Sequence, residues 1–189
     1  MSEKPFLVIM TGLTGTGKTE IAKKIAKIKK YKILSSDVER KKMLNIKLEE
    51  HHFDAFEKGI YTKDITVKVY NKLFELAEKY LIKKVSVIID ASFLKKNYRE
   101  SAQELAKRVN SKFLCIEVVC AEETVRRRLA LRLKKSNNPS DGRIEIYEKQ
   151  KEIFEAITNL PPENYIKVDT TNGIEKPIEK ILLKLAGEI

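Results

Sequence analysis

The 189-residue sequence has only two cysteines and lacks any long apolar run. Cys115 and Cys120 lie in one apolar stretch, FLCIEVVC. Two thiols at this spacing provide neither a disulfide framework nor the ligand set of a zinc site. The longest apolar runs, at 6–10 and 85–89, are far shorter than the roughly 20 residues of a membrane-spanning helix. The amino-terminal MSEKP carries an acid and does not resemble a signal peptide. These features favour a cytoplasmic protein without a membrane partner.

Acidic residues are also in deficit, with 27 Asp and Glu against 38 Lys and Arg, which gives a net charge of +11. One interpretation is a surface that binds nucleic-acid phosphates. The other is a lysine-rich composition with solvated helix faces, as in heat-adapted proteins. The lysines are spread over nearly every predicted helix, which favours the second interpretation without excluding the first.

Short apolar runs alternate with amphipathic segments along the whole chain. This alternation predicts a parallel sheet covered by helices on both faces, formed by a single α/β domain over 1–189. Pro, Gly, Asn and Ser predict a loop at 134–143. The predicted strands are 6–10, 31–36, 85–90, 112–120 and 165–169. The predicted helices are 18–29, about 37–45, 64–82, about 97–109, 122–134, 144–158 and about 175–186.

The stretch GLTGTGKT follows the first predicted strand and opens the first predicted helix. It fits the pattern G-x-x-x-x-G-K-[ST], in which glycines let successive backbone N–H groups turn toward phosphate oxygens. The lysine is expected to reach the β- and γ-phosphates of a nucleotide, and the threonine hydroxyl to bind Mg²⁺. The predicted nucleotide-binding residues are Gly12, Leu13, Thr14, Gly15, Thr16, Gly17, Lys18 and Thr19.

Two carboxylates end predicted strands at the edge where a parallel sheet binds ligands. Asp90 closes VSVIID and is predicted to hold Mg²⁺ together with Thr19; capping a turn is the alternative. Asp37 lies three residues before Arg40 in SSDVER. Such a carboxylate accepts the proton of an attacking hydroxyl, and the guanidinium binds an anionic or polyhydroxyl acceptor. The alternative is a helix N-cap beside a surface arginine.

The predicted helix TVRRRLALRLKK is rich in arginine. Arg128 and Arg132 are four residues apart and flank its apolar stripe. With the loop that follows, they predict a lid at about 126–143 that closes cations over the phosphates and excludes water. A solvated basic helix face is the alternative.

Together these motifs resemble the small P-loop kinases, which include 5′-polynucleotide kinases, zeta-type toxins, chloramphenicol phosphotransferase and gluconate kinase, and more narrowly an AAA-domain ATP-binding family. The resemblance implies a three-layer α/β/α fold of the adenylate-kinase type, with a five-stranded parallel sheet in the order 2-3-1-4-5. It also implies Asp37 as general base, Arg40 and Arg99 as substrate ligands, and Arg128 and Arg132 as the lid pair. The matching stretches are 12–19, 35–44, 59–73, 85–93 with Arg99 following, 125–132 and 140–155.

The predicted function is transfer of the γ-phosphoryl group of ATP to a hydroxyl, with Mg²⁺ as cofactor. The acceptor is a 5′-hydroxyl nucleic-acid end or a small molecule such as a sugar, an antibiotic or a nucleotide-sugar. A regulatory ATPase or switch is the alternative, although the sequence has no guanine-reading N-K-x-D motif. Tyr61, Tyr70 and Tyr98 are candidates for stacking on a base, but the sequence favours packing roles for them.

Overall fold

Five short apolar runs form the strands of one parallel sheet in the computed structural model, which describes residues 4–48, 50, 57–133 and 143–188. The strands are β1 (Phe6–Thr11), β2 (Lys32–Ser35), β3 (Val87–Asp90), β4 (Lys112–Val119) and β5 (Tyr165–Asp169). The helices are α1 (Lys18–Lys29), α2 (Ser36–Met43), α3 (Lys63–Ile82), α4 (Lys96–Arg108), α5 (Glu122–Leu133), α6 (Ile144–Ile153) and α7 (Glu175–Ala186).

The strands lie in the order β2-β3-β1-β4-β5, so the predicted order is confirmed. β1 is central and pairs in parallel with both β3 and β4. Consequently the carboxyl ends of all five strands meet at one edge of the sheet. The loop after β1, the start of α2 and the end of β3 therefore lie side by side.

Side chains of β1 alternate between two buried faces because successive residues of a strand point to opposite sides. Leu7 and Ile9 pack beneath α3 and α4, whereas Val8 and Met10 pack beneath α1 and α7. All four are fully buried. This double coverage explains why the strand is a continuous apolar run rather than an alternating one.

The prediction of a helix over 144–158 is wrong in its last five residues, because α6 ends at Ile153. The backbone N–H and carbonyl groups of the residues after Ile153 bond to Leu94 and Arg99 instead. The Glu155 N–H donates to the Leu94 carbonyl (3.0 Å), and the carbonyls of Glu155 and Ala156 accept from the guanidinium of Arg99. These bonds replace the internal bonds that a longer helix would make.

Among the helices that the structure describes, none is both long enough and apolar enough to cross a membrane.

Candidate functional site

The loop between β1 and α1 requires glycine for reasons of both torsion and space. Gly12 has φ 131°, and a Cβ there would lie 2.4 Å from the carbonyl oxygen of Val118. Gly15 has φ 79°, and its Cβ would lie 2.8 Å from the side chain of Val125 on α5. Real Cβ atoms do not approach so closely, and positive φ values favour glycine. The loop is therefore packed tightly between β4 and the arginine-rich helix.

Lys18 is the first residue of α1, and its ammonium group folds back over the loop. Its Nζ donates to the carbonyl of Leu13 at 2.7 Å. Burial lowers the pKa of Lys18 to about 8, against the opposing influence of the Asp90 and Asp37 carboxylates. The ammonium is therefore already positioned at the loop, where a phosphate would replace the carbonyl as its partner.

Thr19 and Asp90 meet although they are 71 residues apart. The Thr19 hydroxyl donates to Asp90 Oδ2 at 2.7 Å. Burial raises the pKa of Asp90, while this hydrogen bond and the nearby Lys18 charge oppose the rise. Two adjacent oxygen ligands suit Mg²⁺, which usually keeps several waters and binds phosphate oxygens as well. In the part of the chain described, no group of three or more His, Cys, Asp or Glu could hold a metal ion by itself. Thr19 and Asp90 therefore fit an ion that is also bound by phosphate oxygens.

Asp37 is the second residue of α2, whose N-cap is Ser35, so the alternative role of Asp37 as the cap is wrong. Its side chain lines a cleft of about 590 Å³ at the carboxyl edge of the sheet. Lys18, Asp90 and Arg132 line the same cleft. The structure thus brings a carboxylate of α2 to the space that faces the phosphate loop.

Arg40 lies one turn after Asp37 and is only 5% exposed, so it is not a surface arginine. Its guanidinium donates to the carbonyl of Ile60 (3.0 Å) and lies 4.7 Å from the ring centre of Tyr61. Its Nε has no hydrogen-bond partner among the described residues. Arg40 lines the cleft, as expected of a residue that binds a substrate.

The prediction that Arg99 binds substrate is corrected by the structure. Arg99 is 1% exposed and is not among the described residues that line the cleft. Its guanidinium is used in donating to backbone carbonyls of two chain segments, those of Phe93 (2.8 Å), Leu94 (3.1 Å), Glu155 (2.8 Å) and Ala156 (3.3 Å). Arg99 therefore ties the segment after β3 to the segment after α6.

The two predicted lid arginines have different surroundings in the structure. Arg132 lines the cleft, and burial lowers its pKa against the opposing charges of Asp37, Glu20 and Asp90. Arg128 instead donates to the hydroxyl (2.9 Å) and carbonyl (2.6 Å) of Thr170 after β5. The structure therefore does not bring the predicted pair together in the cleft, because Arg132 lines it and Arg128 does not. The predicted lid loop at 134–142 lies outside the described residues.

Gln150 of α6 was not singled out by any sequence motif of its own. Its Oε1 accepts the backbone N–H of Thr14 at 2.7 Å, across 136 residues. Only the match of 140–155 to the kinase family pointed toward this helix. Gln150 links α6 to the phosphate loop, and Ile146 and Ile153 of the same helix line the cleft.

Comparisons with known proteins agree with this fold. A family model described as an AAA domain matches residues 7–157. The gluconokinase from Sinorhizobium meliloti 1021 is 19% identical with a TM-score of 0.68, covering 99% of this chain and 95% of that chain. The Mycobacterium tuberculosis APS kinase CysC, solved with AMPPNP and APS, is 15% identical with a TM-score of 0.65, covering 98% and 99%. Chaetomium thermophilum Kti12, solved with ADP-AlF3, is 18% identical with a TM-score of 0.68, covering 96% and 97%. At these identities the likeness shows the fold, and no curated protein matches the sequence.

Proposed function

Because the chain belongs to the AAA-domain family, we propose that it is an ATP-dependent kinase that transfers the γ-phosphoryl group to a hydroxyl acceptor. The observation that supports this most directly is the placement of the Asp37 carboxylate in the same cleft as Lys18 and Asp90. The fold is shared with a gluconokinase and an APS kinase, which agrees with the proposal.

The phosphate half of the cleft binds ATP through backbone N–H groups of the loop and through the positive end of α1. Lys18 Nζ exchanges the Leu13 carbonyl for a phosphate oxygen of ATP. Thr19 and Asp90 would hold Mg²⁺, which when bound neutralises charge on the β- and γ-phosphates. Because Lys18 and Asp90 are already in place, binding requires little rearrangement of this half.

Asp37 acts as the general base on the acceptor side. Its carboxylate takes the proton of the acceptor hydroxyl, and the hydroxyl oxygen forms a bond to the γ-phosphorus. The bond from the γ-phosphorus to the bridging oxygen breaks, and ADP leaves with that electron pair. Lys18 and Arg132 stabilise the negative charge on the transferring group. Asp37 then releases its proton to solvent.

A regulatory ATPase that transfers the phosphoryl group to water is the second candidate. The observation that favours it is the shared fold of Kti12, which was solved with ADP-AlF3. Against it stands the cleft, which is larger than a water nucleophile needs and continues past Asp37 to Arg40. The cytoplasmic location and the single domain over 1–189 stay predictions.

Labelled ATP decides between the two candidates. Protein with Mg²⁺ and γ-labelled ATP is incubated with sugars, nucleosides, antibiotics and a 5′-hydroxyl oligonucleotide. Transfer of label to an added acceptor, abolished in Lys18→Ala, supports the kinase. Label recovered only as inorganic phosphate, at a rate that no acceptor changes, would overturn it in favour of the ATPase.

A further inference from the structure

The half of the cleft beyond Asp37 contains a pair of stacked tyrosines. The rings of Tyr70 and Tyr98 are 3.9 Å apart at their centres and inclined by 11°. Tyr70 is 4% exposed, and its hydroxyl accepts the Phe93 N–H at 3.0 Å, so its position is fixed. Tyr98 is half-buried, and both rings line the cleft. A fixed ring supporting a more exposed one forms a flat platform on which a ligand ring would stack.

Arg40 lies on the same half of the cleft with an unused donor. It is 5% exposed, and its Nε has no partner among the residues that the structure describes. A buried N–H without an acceptor is unfavourable, so it marks a position for an acceptor atom. Arg99 also has an unpartnered Nε, but Arg99 does not line the cleft. Of these two arginines, Arg40 is the one that lines the cleft, so its guanidinium is the candidate for contact with a ligand.

The charges of the described cleft lining are balanced, although the chain as a whole is basic. Its described lining contains five cationic and five acidic side chains. Two lysines of the lining are paired with carboxylates, Lys63 with Glu57 (3.5 Å) and Lys95 with Glu155 (3.3 Å). A nucleic-acid strand requires a basic track for its phosphates, and this lining does not supply one.

Apolar side chains form part of the wall of the acceptor half, beside polar ones such as Thr66, Ser92 and Asn97. The apolar side chains come from α3, from the segment after β3 and from α6, namely Val67, Leu94, Ile146 and Ile153. An open-chain sugar acid has a hydroxyl on nearly every carbon, and those that face the apolar side chains would lose hydrogen-bond partners. Apolar side chains around a stacked aromatic pair are instead suited to a flat ring.

We propose that the acceptor is a small hydroxyl compound carrying a flat aromatic or heteroaromatic ring, bound between Tyr98 and Arg40. This inference rests on the kinase function proposed above. The ring stacks on Tyr98, a carbonyl or anionic oxygen of the compound accepts from the guanidinium of Arg40, and the hydroxyl faces Asp37. The hydroxyl gives its proton to Asp37 and its oxygen bonds the γ-phosphorus, while ADP leaves with the electrons of the broken bond.

Binding tests the inference without requiring turnover. The protein is saturated with Mg²⁺ and AMPPNP, and its affinities are measured for cytidine, cytidine 3′-monophosphate, 3-phenylpropane-1,2-diol, gluconate and a 5′-hydroxyl decanucleotide. The chain has no tryptophan and seven tyrosines, so quenching of tyrosine emission reports stacking. We expect a ring-bearing compound to bind the wild-type protein. Its affinity should be about tenfold or more weaker for Tyr98→Ala and nearly unchanged for Tyr98→Phe.

Unchanged AMPPNP affinity in each variant shows that it is folded, and Tyr98→Leu repeats the test with a side chain that fills more of the space. Preference for gluconate, equal binding by wild type and Tyr98→Ala, or binding of the decanucleotide alone with steep salt dependence would each overturn the inference. Label from ATP reaching gluconate would leave the kinase standing without the ring site. Ring binding that depends on Tyr98, with label reaching only water, would support the site and reject the kinase.

Discussion

The two halves of the cleft are built in different ways. The phosphate half consists mainly of eight consecutive residues, 12–19, whose backbone would provide most of the groups that bind phosphate in the proposed function, together with Asp90. The acceptor half is assembled from side chains of α2, α3, α4, α6 and the segment after β3. The first half is therefore fixed by local chain geometry. The second depends on how distant elements pack, and it is the half in which a related chain could change substrate without losing ATP.

Arginines illustrate the same difference. Arg40 and Arg99 are both almost completely buried, yet one lines the cleft and the other binds four backbone carbonyls. Arg128 and Arg132 lie on one helix, yet only Arg132 reaches the cleft. Residue type and spacing therefore identify candidates for anion binding, whereas packing decides which of them bind a ligand.

Asp37→Asn should have the largest effect, a loss of phosphoryl transfer without a loss of ATP affinity. The side chain keeps its shape but no longer accepts a proton, so we expect transfer to fall about 10²–10⁴-fold. ATP affinity should be unchanged or slightly tighter, because a negative charge near the phosphates is removed. Turnover of labelled ATP and equilibrium ATP binding measure the two effects. Glu39→Gln is the control, because Glu39 is on the same helix but pairs with Lys42. Loss of ATP binding with normal turnover per bound ATP would place Asp37 in the phosphate half.

Arg132→Ala and Arg128→Ala should have opposite consequences. Arg132→Ala removes a cation from the cleft, so we expect transfer to fall about 10–100-fold with little change in melting temperature. Arg128→Ala removes the donors that hold Thr170, so we expect a lower melting temperature as its main effect. Initial rates and thermal denaturation of both variants make the comparison. A larger rate loss in Arg128→Ala, at unchanged stability, would support the predicted role of Arg128 as a catalytic residue.

Rising pH should weaken ATP binding by the phosphate half of the cleft. The pKa of Lys18 is lowered to about 8 in the nucleotide-free protein, and bound phosphate favours its charged form. ATP affinity should therefore be nearly constant below pH 8 and fall by up to about tenfold per pH unit above it, as binding must return a proton to Lys18. Calorimetry at pH 9 in two buffers of different ionisation enthalpy measures this uptake. Lys18→Met should show none; equal uptake in this variant would assign the proton to another group.

Gln150→Ala should give the smallest effect. The variant leaves the Thr14 N–H without its acceptor, which should lower the free energy of unfolding by about 0.5–1.5 kcal/mol in the absence of nucleotide. Saturating AMPPNP and Mg²⁺ should reduce the difference, because a phosphate oxygen would then accept from this N–H. Urea denaturation with and without nucleotide measures both values, with Lys149→Ala, an exposed position on the same helix, as control. An undiminished difference would mean that Gln150 stays on Thr14 in the bound state.

The elements and the position of the glycine-rich loop between β1 and α1 could be predicted from the sequence. Apolar runs and helical periodicity predicted all five strands and the helices beside them, because burial on a two-sided sheet leaves a local pattern. The positions of the glycines, Lys18, Thr19 and Asp90 also leave a local pattern, because each lies at or just after the end of a strand. The errors fell where a distant segment competed for local groups. Residues 154–158 continue the helical pattern but bind Leu94 and Arg99 instead.

Only the tertiary structure decided which charged and aromatic side chains line the cleft. Arg128 and Arg132 share one helical spacing, and contact with Thr170, 42 residues beyond Arg128, separates them. The Thr14–Gln150 bond and the Tyr70–Tyr98 stack likewise join residues that no local pattern connects. A sequence records the periodicities of its own elements, but the packing of one element against another is set by the shapes of all of them together.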